Sequence, residues 1–421
     1  MEYCKRCCYP ANTKPMILFD EEGVCSGCRY IEKRPGIDYA EREKILKGIL
    51  EEHKAQARKN NSPYDCIIPI SGGKDSHFQT YLIKKVYGLN PLLVSYNHGF
   101  NSKIGIRNLT NIVKQFGCDL IRYTTNPETV KKISRYMLKK VGDVTWHYHA
   151  GIMTFPIQIA AKYKIPLIIW GEQGFADMMG MYRHEDMLEF SKKIRQEHDM
   201  RGFEPEDILN DPDNTEITRT DLAPFFYPSD EEIESVGVRG IYLSNFFEWD
   251  AKKQTELMIR DYGFETAIIK ERTFNLYDKT DDAANEVHDY LKYLKFGYGR
   301  TTDDASFEIR SGRMTREEGV EMVKKYDHVR PSSLDTYLKY VGITEEEFLK
   351  TVELMRDPQI WEKTPAGEWK VKDSIVNHVN ESGVDKARLP QSEIRTGFLV
   401  SPKADDSRDL EVREGKEFIV L

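Results

Sequence analysis

Cys66-Ile67-Ile68-Pro69-Ile70 followed by Ser71-Gly72-Gly73-Lys74-Asp75-Ser76 sets a short apolar run, two glycines and a polar helix start in immediate succession. That order describes a strand, a tight turn and a helix N-terminus. Backbone N–H groups freed by Gly72 and Gly73, the hydroxyls of Ser71 and Ser76, and the partial positive charge of the helix start together suit a phosphate. A Walker A loop reads G-x4-G-K-S/T, and this hexapeptide does not fit it. Asp75 is a carboxylate in a phosphate site, which makes chemical sense with Mg²⁺ between the two. Lys74 can offset phosphate charge.

Outward from this loop, apolar runs alternate with helical stretches. Strands are predicted at Cys66–Ile70, Leu92–Tyr96, Leu120–Tyr123, Leu167–Trp170 and Ile241–Leu243. Helices are predicted at Ser76–Tyr87, Ile104–Phe116, Glu128–Lys140, Ile152–Tyr163 and Lys252–Tyr262. Such alternation implies an α/β domain, residues 64–264, built on a doubly wound parallel sheet of five strands covered on both faces. Ligands on these sheets sit beyond the carboxyl ends of the strands. Ser71–Ser76, Asn97–Gly99 and Gly171–Gly174 are therefore the loops of interest. An insertion, residues 177–237, turns acidic after Phe203 and reads as a solvated surface excursion.

Five of the seven cysteines fall in the first 28 residues. Cys4-x2-Cys7 and Cys25-x2-Cys28 have the spacing of a zinc ribbon, residues 1–36, whose four thiolates close a structural Zn²⁺ site. Cys8 is a spare. An amphipathic stretch, residues 37–63, links the ribbon to the α/β domain. A net charge of −8 excludes the global basic field that non-specific nucleic-acid binding requires, so no nucleic-acid partner is expected. No run is apolar enough for membrane insertion, and Met1–Tyr30 lacks a signal-peptide pattern, so a cytoplasmic location is expected.

Residues 265–365 read as a helical, substrate-side domain. Ala283–Leu294 is one helix, broken by Gly297-Tyr298-Gly299. Thr315 and Thr344 each open a capping box. Lys295, Arg300, Arg310 and Arg316 form the best anion-binding candidate beyond the loop, and spacing alone fits a solvated basic face equally well. His147 and His149 bracket Tyr148 and read as core or capping histidines rather than metal ligands. The tail, residues 366–421, loses periodicity until Phe418–Leu421 and reads as an appendage without assigned role.

The loop resembles the signature of the PP-loop ATP pyrophosphatases, an adenine nucleotide alpha hydrolase-like group, over roughly Asp65–Tyr262. The whole chain resembles the N-acetyl sugar amidotransferases in its cysteine pairs, Ser71–Ser76, Tyr96–Gly99, Trp170–Gln173, Tyr293–Arg300 with Asp303, Ile309–Arg310 and Thr315–Glu318. The tail after about Pro365 is not matched. The resemblance implies an enzyme of bacterial surface-polysaccharide synthesis that uses ATP and Mg²⁺ to convert the acetamido group of a nucleotide-activated sugar to acetamidino. Ammonia would come from a separate glutaminase subunit.

The catalytic set it implies is Lys74, Asp75, Glu172, Lys295 and Arg300. The nucleotide would rest on Ser71–Ser76, Asn97, His98, Gly99 and Gly171, with Asp75 on Mg²⁺. Glu172 follows the fourth strand, where it can take a proton from ammonia or hold the metal. Two alternatives are a tRNA-thiolating PP-loop enzyme and a catalytically silent nucleotide-binding scaffold. Thiolation would want a reactive cysteine pair near the loop, and Cys66 and Cys118 form none.

Overall fold

The computed structural model describes residues 1–268 and 271–381. Five parallel strands form the central sheet: β1 (Cys66–Pro69), β2 (Pro91–Asn97), β3 (Leu120–Thr124), β4 (Leu167–Trp170) and β5 (Arg239–Tyr242). Their order is β3-β2-β1-β4-β5. The chain steps outward from β1 through β2 to β3, then returns to the other side of β1. Strand order thus reverses between β1 and β4, the crevice where such sheets bind ligands.

The strands form because β-branched and leucine side chains face helices on both sides. Ile67 and Ile68 of β1 and Ile168 and Ile169 of β4 are fully buried. Helices Lys103–Phe116, Pro127–Val141 and Ala251–Tyr262 end on left-handed Gly117, Gly142 and Gly263. The first two are capped by Ser102 and Asn126.

Three local readings are corrected. The helix after the loop runs Lys74–Tyr81 and continues as a π turn, Leu82–Val86. Helix Trp146–Tyr163 begins before the expected Ile152, because Trp146, His147 and Tyr148 are buried inside it rather than looped out. β5 starts at Arg239, ahead of the apolar run that marked it, and Leu243–Asn245 is a 3₁₀ turn.

The stretch from 177 to 237 is not a solvated excursion. Its Ile194, Met200, Ile208, Leu222, Phe225 and Ile233 are buried in the same core as Tyr96 and Ile168. Acidic residues lie between these anchors and mask the apolar signal. The described part of the tail is no appendage either. Trp361–Lys363 and Trp369–Val371 form a hairpin, and Ile375 is buried against the ribbon cluster. The terminal Phe418–Leu421 run lies outside the described residues.

Candidate active site and metal centre

The loop after β1 is held by its own hydroxyls. Ser71 N–H donates to Ser76 Oγ at 3.0 Å, and Gly73 N–H to Ser71 Oγ at 3.3 Å. Gly72 takes φ 101°, and a Cβ there would stand 2.5 Å from the Gly105 carbonyl, so only glycine fits. Helix Lys74–Tyr81 starts without a side-chain cap, which leaves its first N–H groups to a ligand. His77, not singled out in the sequence, holds the turn through Nδ1 to Gly73 O at 3.2 Å. Its Nε2 lies 3.3 Å from Asn111 Nδ2. Burial pushes His77 down to about 4 and keeps the ring neutral.

Lys74 is buried, with Nζ 2.6 Å from Asp75 Oδ2 and 3.2 Å from Asp278 Oδ1. Burial alone would lower the ammonium, but Asp278, Asp75 and Glu172 hold it well above its ordinary value. Asp75 Oδ1 is buried without a hydrogen-bond partner. An orphaned carboxylate oxygen at the mouth of a phosphate loop fits a hard cation. Glu172 follows β4, across the crevice. Burial pushes its carboxyl up to about 8, with Asp75, Asp177 and Asp278 adding to the rise and Lys74 opposing it. Gly171 before it lies close against the Gln79 side chain, which would have to move for a Cβ, 2.2 Å from its Nε2.

The residues after β2 serve the fold more than a ligand. Asn97 Oδ1 accepts from Gly99 N at 3.1 Å and Asn101 Nδ2 at 2.6 Å, and Asn97 Nδ2 donates to Thr124 Oγ1 at 3.0 Å. Buried His98 accepts from Phe100 N at 3.2 Å through Nδ1, 3.5 Å from Asp282 Oδ1. Burial drives it down to about 4. Of the expected trio only Gly99, with open space at its Cα, keeps a free face.

A strap unforeseen in the sequence, Asp278-Lys279-Thr280-Asp281-Asp282, crosses the loop from the far side. Ser102 Oγ donates to Thr280 O at 2.6 Å and Ser102 N to Asp281 O at 3.1 Å. Asp281 packs so closely that a Cβ on Gly105 would meet its Cα at 2.6 Å. Lys279 adopts φ 51°, a left-handed conformation that costs a side-chain-bearing residue about 1 kcal/mol.

This strap falls within a region of known kinship, for residues 271–375 match the family model described as LPS biosynthesis protein WbpG-like, C-terminal domain. The match covers about a quarter of the chain. An uncharacterized protein of Methanocaldococcus jannaschii is 32% identical over 118 residues, 28% of this chain and 41% of that protein. The chain thus spans about two fifths of the curated relative it matches. Among solved structures, NMN synthetase from Francisella tularensis aligns at 13% identity over 53% of this chain and 87% of its own, with a TM-score of 0.25. An NH3-dependent NAD synthetase from Campylobacter jejuni aligns at 12% over 48% and 92%, also at 0.25. At those scores the assignment of an adenine nucleotide alpha hydrolase-like fold stands on the strand order and the loop.

Within the WbpG-like domain the four expected cations do not converge. Arg300 is buried and forked onto Asp289 at 3.1 and 3.0 Å, with Asp303 at 3.4 Å. It reaches the centre only through the field it shares with Lys74 at Asp278, holding that carboxyl low against burial. Arg316 donates to the carbonyls of Cys4, Cys7, His378 and Val379. Arg310 donates to Met178 O at 2.7 Å and lies 3.3 Å from Cys25 Sγ. Lys295 alone faces a cleft. Neither a shared anion site nor a solvated basic face exists for the set, because three of the four are consumed by buried partners.

The WbpG-like domain also walls in the cysteine cluster. Cys4, Cys7, Cys25 and Cys28 are fully buried, and their sulfurs all lie within 4.8 Å of one another. Cys4 and Cys28 Sγ are 4.0 Å apart, and Cys7 and Cys25 Sγ 3.6 Å. Bonds of about 2.3 Å to a tetrahedral ion place sulfurs about 3.8 Å apart, so the four fit one metal. Cys8 points elsewhere, and its N–H donates to Ser306 Oγ at 3.2 Å.

Proposed function

We propose that this chain is an ATP-dependent amidotransferase that converts the acetamido group of a nucleotide-activated sugar to acetamidino, releasing AMP and pyrophosphate. The observation that carries the reading is the WbpG-like strap laid on the phosphate loop, with Asp278 and Asp75 sharing Lys74. It brings a domain of LPS biosynthesis proteins onto a nucleotide-binding turn.

An amide oxygen is a poor leaving group, so ammonia cannot displace it directly. Attack of that oxygen on the α-phosphorus of ATP breaks the bond to the β-phosphate bridge and releases pyrophosphate. Ammonia then adds to the activated carbon, AMP departs with the oxygen, and a proton is lost. The uncapped helix start and the Gly72 amide bind the departing pyrophosphate. Lys74 supplies fixed positive charge beside it. Asp75, through its unpartnered Oδ1, would hold Mg²⁺, which supplies charge neutralisation on the phosphates. Glu172, poised near neutrality, accepts the proton lost as ammonia adds.

The four buried thiolates would hold a structural Zn²⁺, their spacing matching a single ion. Ammonia would come from a separate glutaminase, since the four ribbon cysteines are committed and burial pushes the Cys66 and Cys118 thiols up. The same burial leaves a thiolating reading without a reactive thiol at the loop. Among the described residues no helix is long and apolar enough to cross a membrane, and we place the reaction in the cytoplasm, with no nucleic-acid partner.

The test is a panel of nucleotide-linked N-acetyl sugars with ATP, Mg²⁺ and ammonium. Pyrophosphate release should accompany the mass change of oxygen exchanged for NH. Absence of turnover with every sugar, together with sulfur incorporation into tRNA, would overturn the reading.

A further inference from the structure

A cleft of about 500 Å³ opens on the stretch that follows Glu172, at Phe175, and takes no part in the chemistry described above. Its walls come from the ribbon (Lys14), the turn before helix Trp146–Tyr163 (Asp143), the stretch after β4 (Phe175, Arg201) and helix Ala284–Phe296 (His288, Lys295). Cations outnumber carboxylates along it: Lys14, Arg201, Lys292 and Lys295 face Asp143 and Glu197. In a chain of net charge −8 this is a local reversal of sign.

Two of these cations are already neutralised, Arg201 by Asp143 and Lys292 by Asp303. The other two are not. Lys295 Nζ donates to the neutral Gly142 carbonyl at 2.7 Å, and Lys14 is exposed; neither enters an ion pair among the described residues. Burial pulls the Lys295 ammonium down to about 8, only partly countered by Asp143, as befits a cation lacking its counter-ion. Phe175 and Phe296 add flat apolar surface, the former tilted at 33° against His198 with ring centroids 4.2 Å apart.

The strap lies within electrostatic reach of both loop and cleft: the Lys279 charge acts on Asp278, which pairs with Lys74, and on His288 at the cleft wall. His288 in turn lies 3.9 Å from Asp143.

We propose that this cleft is the acceptor site and that it selects a negatively charged glycosyl ligand, whose phosphate or carboxylate is held by Lys295 and Lys14 while its ring system packs on Phe175 and Phe296. The acyl group is then turned past Lys279 toward the loop. The assignment of the ligand as acceptor rests on the amidotransferase reading; the anion site itself does not.

Calorimetry on the full chain without ATP tests it, using UDP-N-acetylglucosamine, N-acetylglucosamine 1-phosphate, glucuronic acid and neutral N-acetylglucosamine as probes. The first two against the third separate phosphate from carboxylate recognition. Charged probes should bind and the neutral sugar should not. Lys295→Glu and the exposed Lys14→Glu should each weaken charged probes by about tenfold or more, while the affinity for ATP with Mg²⁺ stays unchanged. Equal binding of charged and neutral sugars, unchanged affinity in Lys14→Glu, or a matching loss of ATP binding would overturn the site. Charge-dependent binding without any amidination would remove the proposed reaction and leave the anion site standing. Turnover with an unmoved sugar KM in both variants would remove the site and leave the reaction.

Discussion

Asp75 and Asp278 share one ammonium, that of Lys74, from opposite sides of the phosphate loop. One belongs to the nucleotide fold and the other to the WbpG-like domain, so the loop is completed only when the two meet. The pair predicts that Asp75→Asn, which keeps shape and removes charge, lowers kcat/KM by about 100-fold or more. Raising Mg²⁺ should restore part of it, because loss of a carboxylate ligand weakens metal binding. Pyrophosphate release across a Mg²⁺ titration measures this, and a Mg²⁺ dependence identical to wild type would remove Asp75 from the phosphate-metal contact.

Glu172 gives a signed pH dependence. Its carboxyl has an ordinary value of 4.5 and is pushed up to about 8 by burial, with Asp75 among the carboxylates that add to the rise. The folded state therefore holds this proton more tightly than the unfolded chain. Stability from this group is complete below about pH 4.5 and is lost as pH rises toward 8. Thermal melts of Glu172→Gln should lack that part of the decline, and its activity should lose the rise with pH that an ionising base confers. Parallel pH profiles for both proteins would contradict the role.

Gly72→Ala should fold poorly around the loop. Its added Cβ meets the Gly105 carbonyl at 2.5 Å and φ 101° disfavours any side chain. A cost of about 1–3 kcal/mol is expected, read as a lower denaturant midpoint together with lost ATP affinity. An unchanged midpoint would mean that the loop backbone can relax.

Arg300→Met should behave as a folding lesion rather than a binding one. It leaves Asp289, buried and forked onto the guanidinium, without its closest partner, and breaking such a pair costs about 3–5 kcal/mol. Chemical denaturation should show that loss, while the ATP affinity of the folded fraction stays near wild type. The reverse pattern would return Arg300 to the catalytic set.

Metal removal should act far from the ribbon. Cys25→Ser removes the nearer of the two sulfurs that Arg310 faces, Cys25 and Cys7, and chelation removes the ion that would fix both, while Arg310 also holds Met178 O in the segment that follows Glu172. Zinc content by elemental analysis, tracked against protection of residues 171–179 in hydrogen exchange, tests the link. Protection indifferent to metal content would show the ribbon to be energetically separate.

The sheet was legible because β1 and β4 are buried on both faces and so consist of unbroken apolar runs, and the loop because its glycines and carboxylate sit where strand meets helix. The strap was not. Asp278, Asp281 and Asp282 look like a solvated acidic turn, and only tertiary contact with Ser102 and Gly105 makes them part of a site. Arg300, Arg310 and Arg316 misled in the opposite sense, since sequence spacing shows a row of cations and hides the buried carboxylates, carbonyls and thiolates that consume them. The stretch after β4 misled because scattered acids conceal apolar anchors such as Ile208 and Leu222.

The terminal ammonium of Met1 pairs with Asp373 at 2.9 Å, and Tyr9 donates to Asp303 at 2.9 Å. The first residues and the WbpG-like domain are thus threaded through each other, although more than half the chain separates them. A fragment trimmed to residues 271–375 would expose the seat of the cysteine ribbon and strip Arg310 and Arg316 of the partners that bury them. The boundary by which that domain is recognised therefore cuts through contacts that tie the first residues to it.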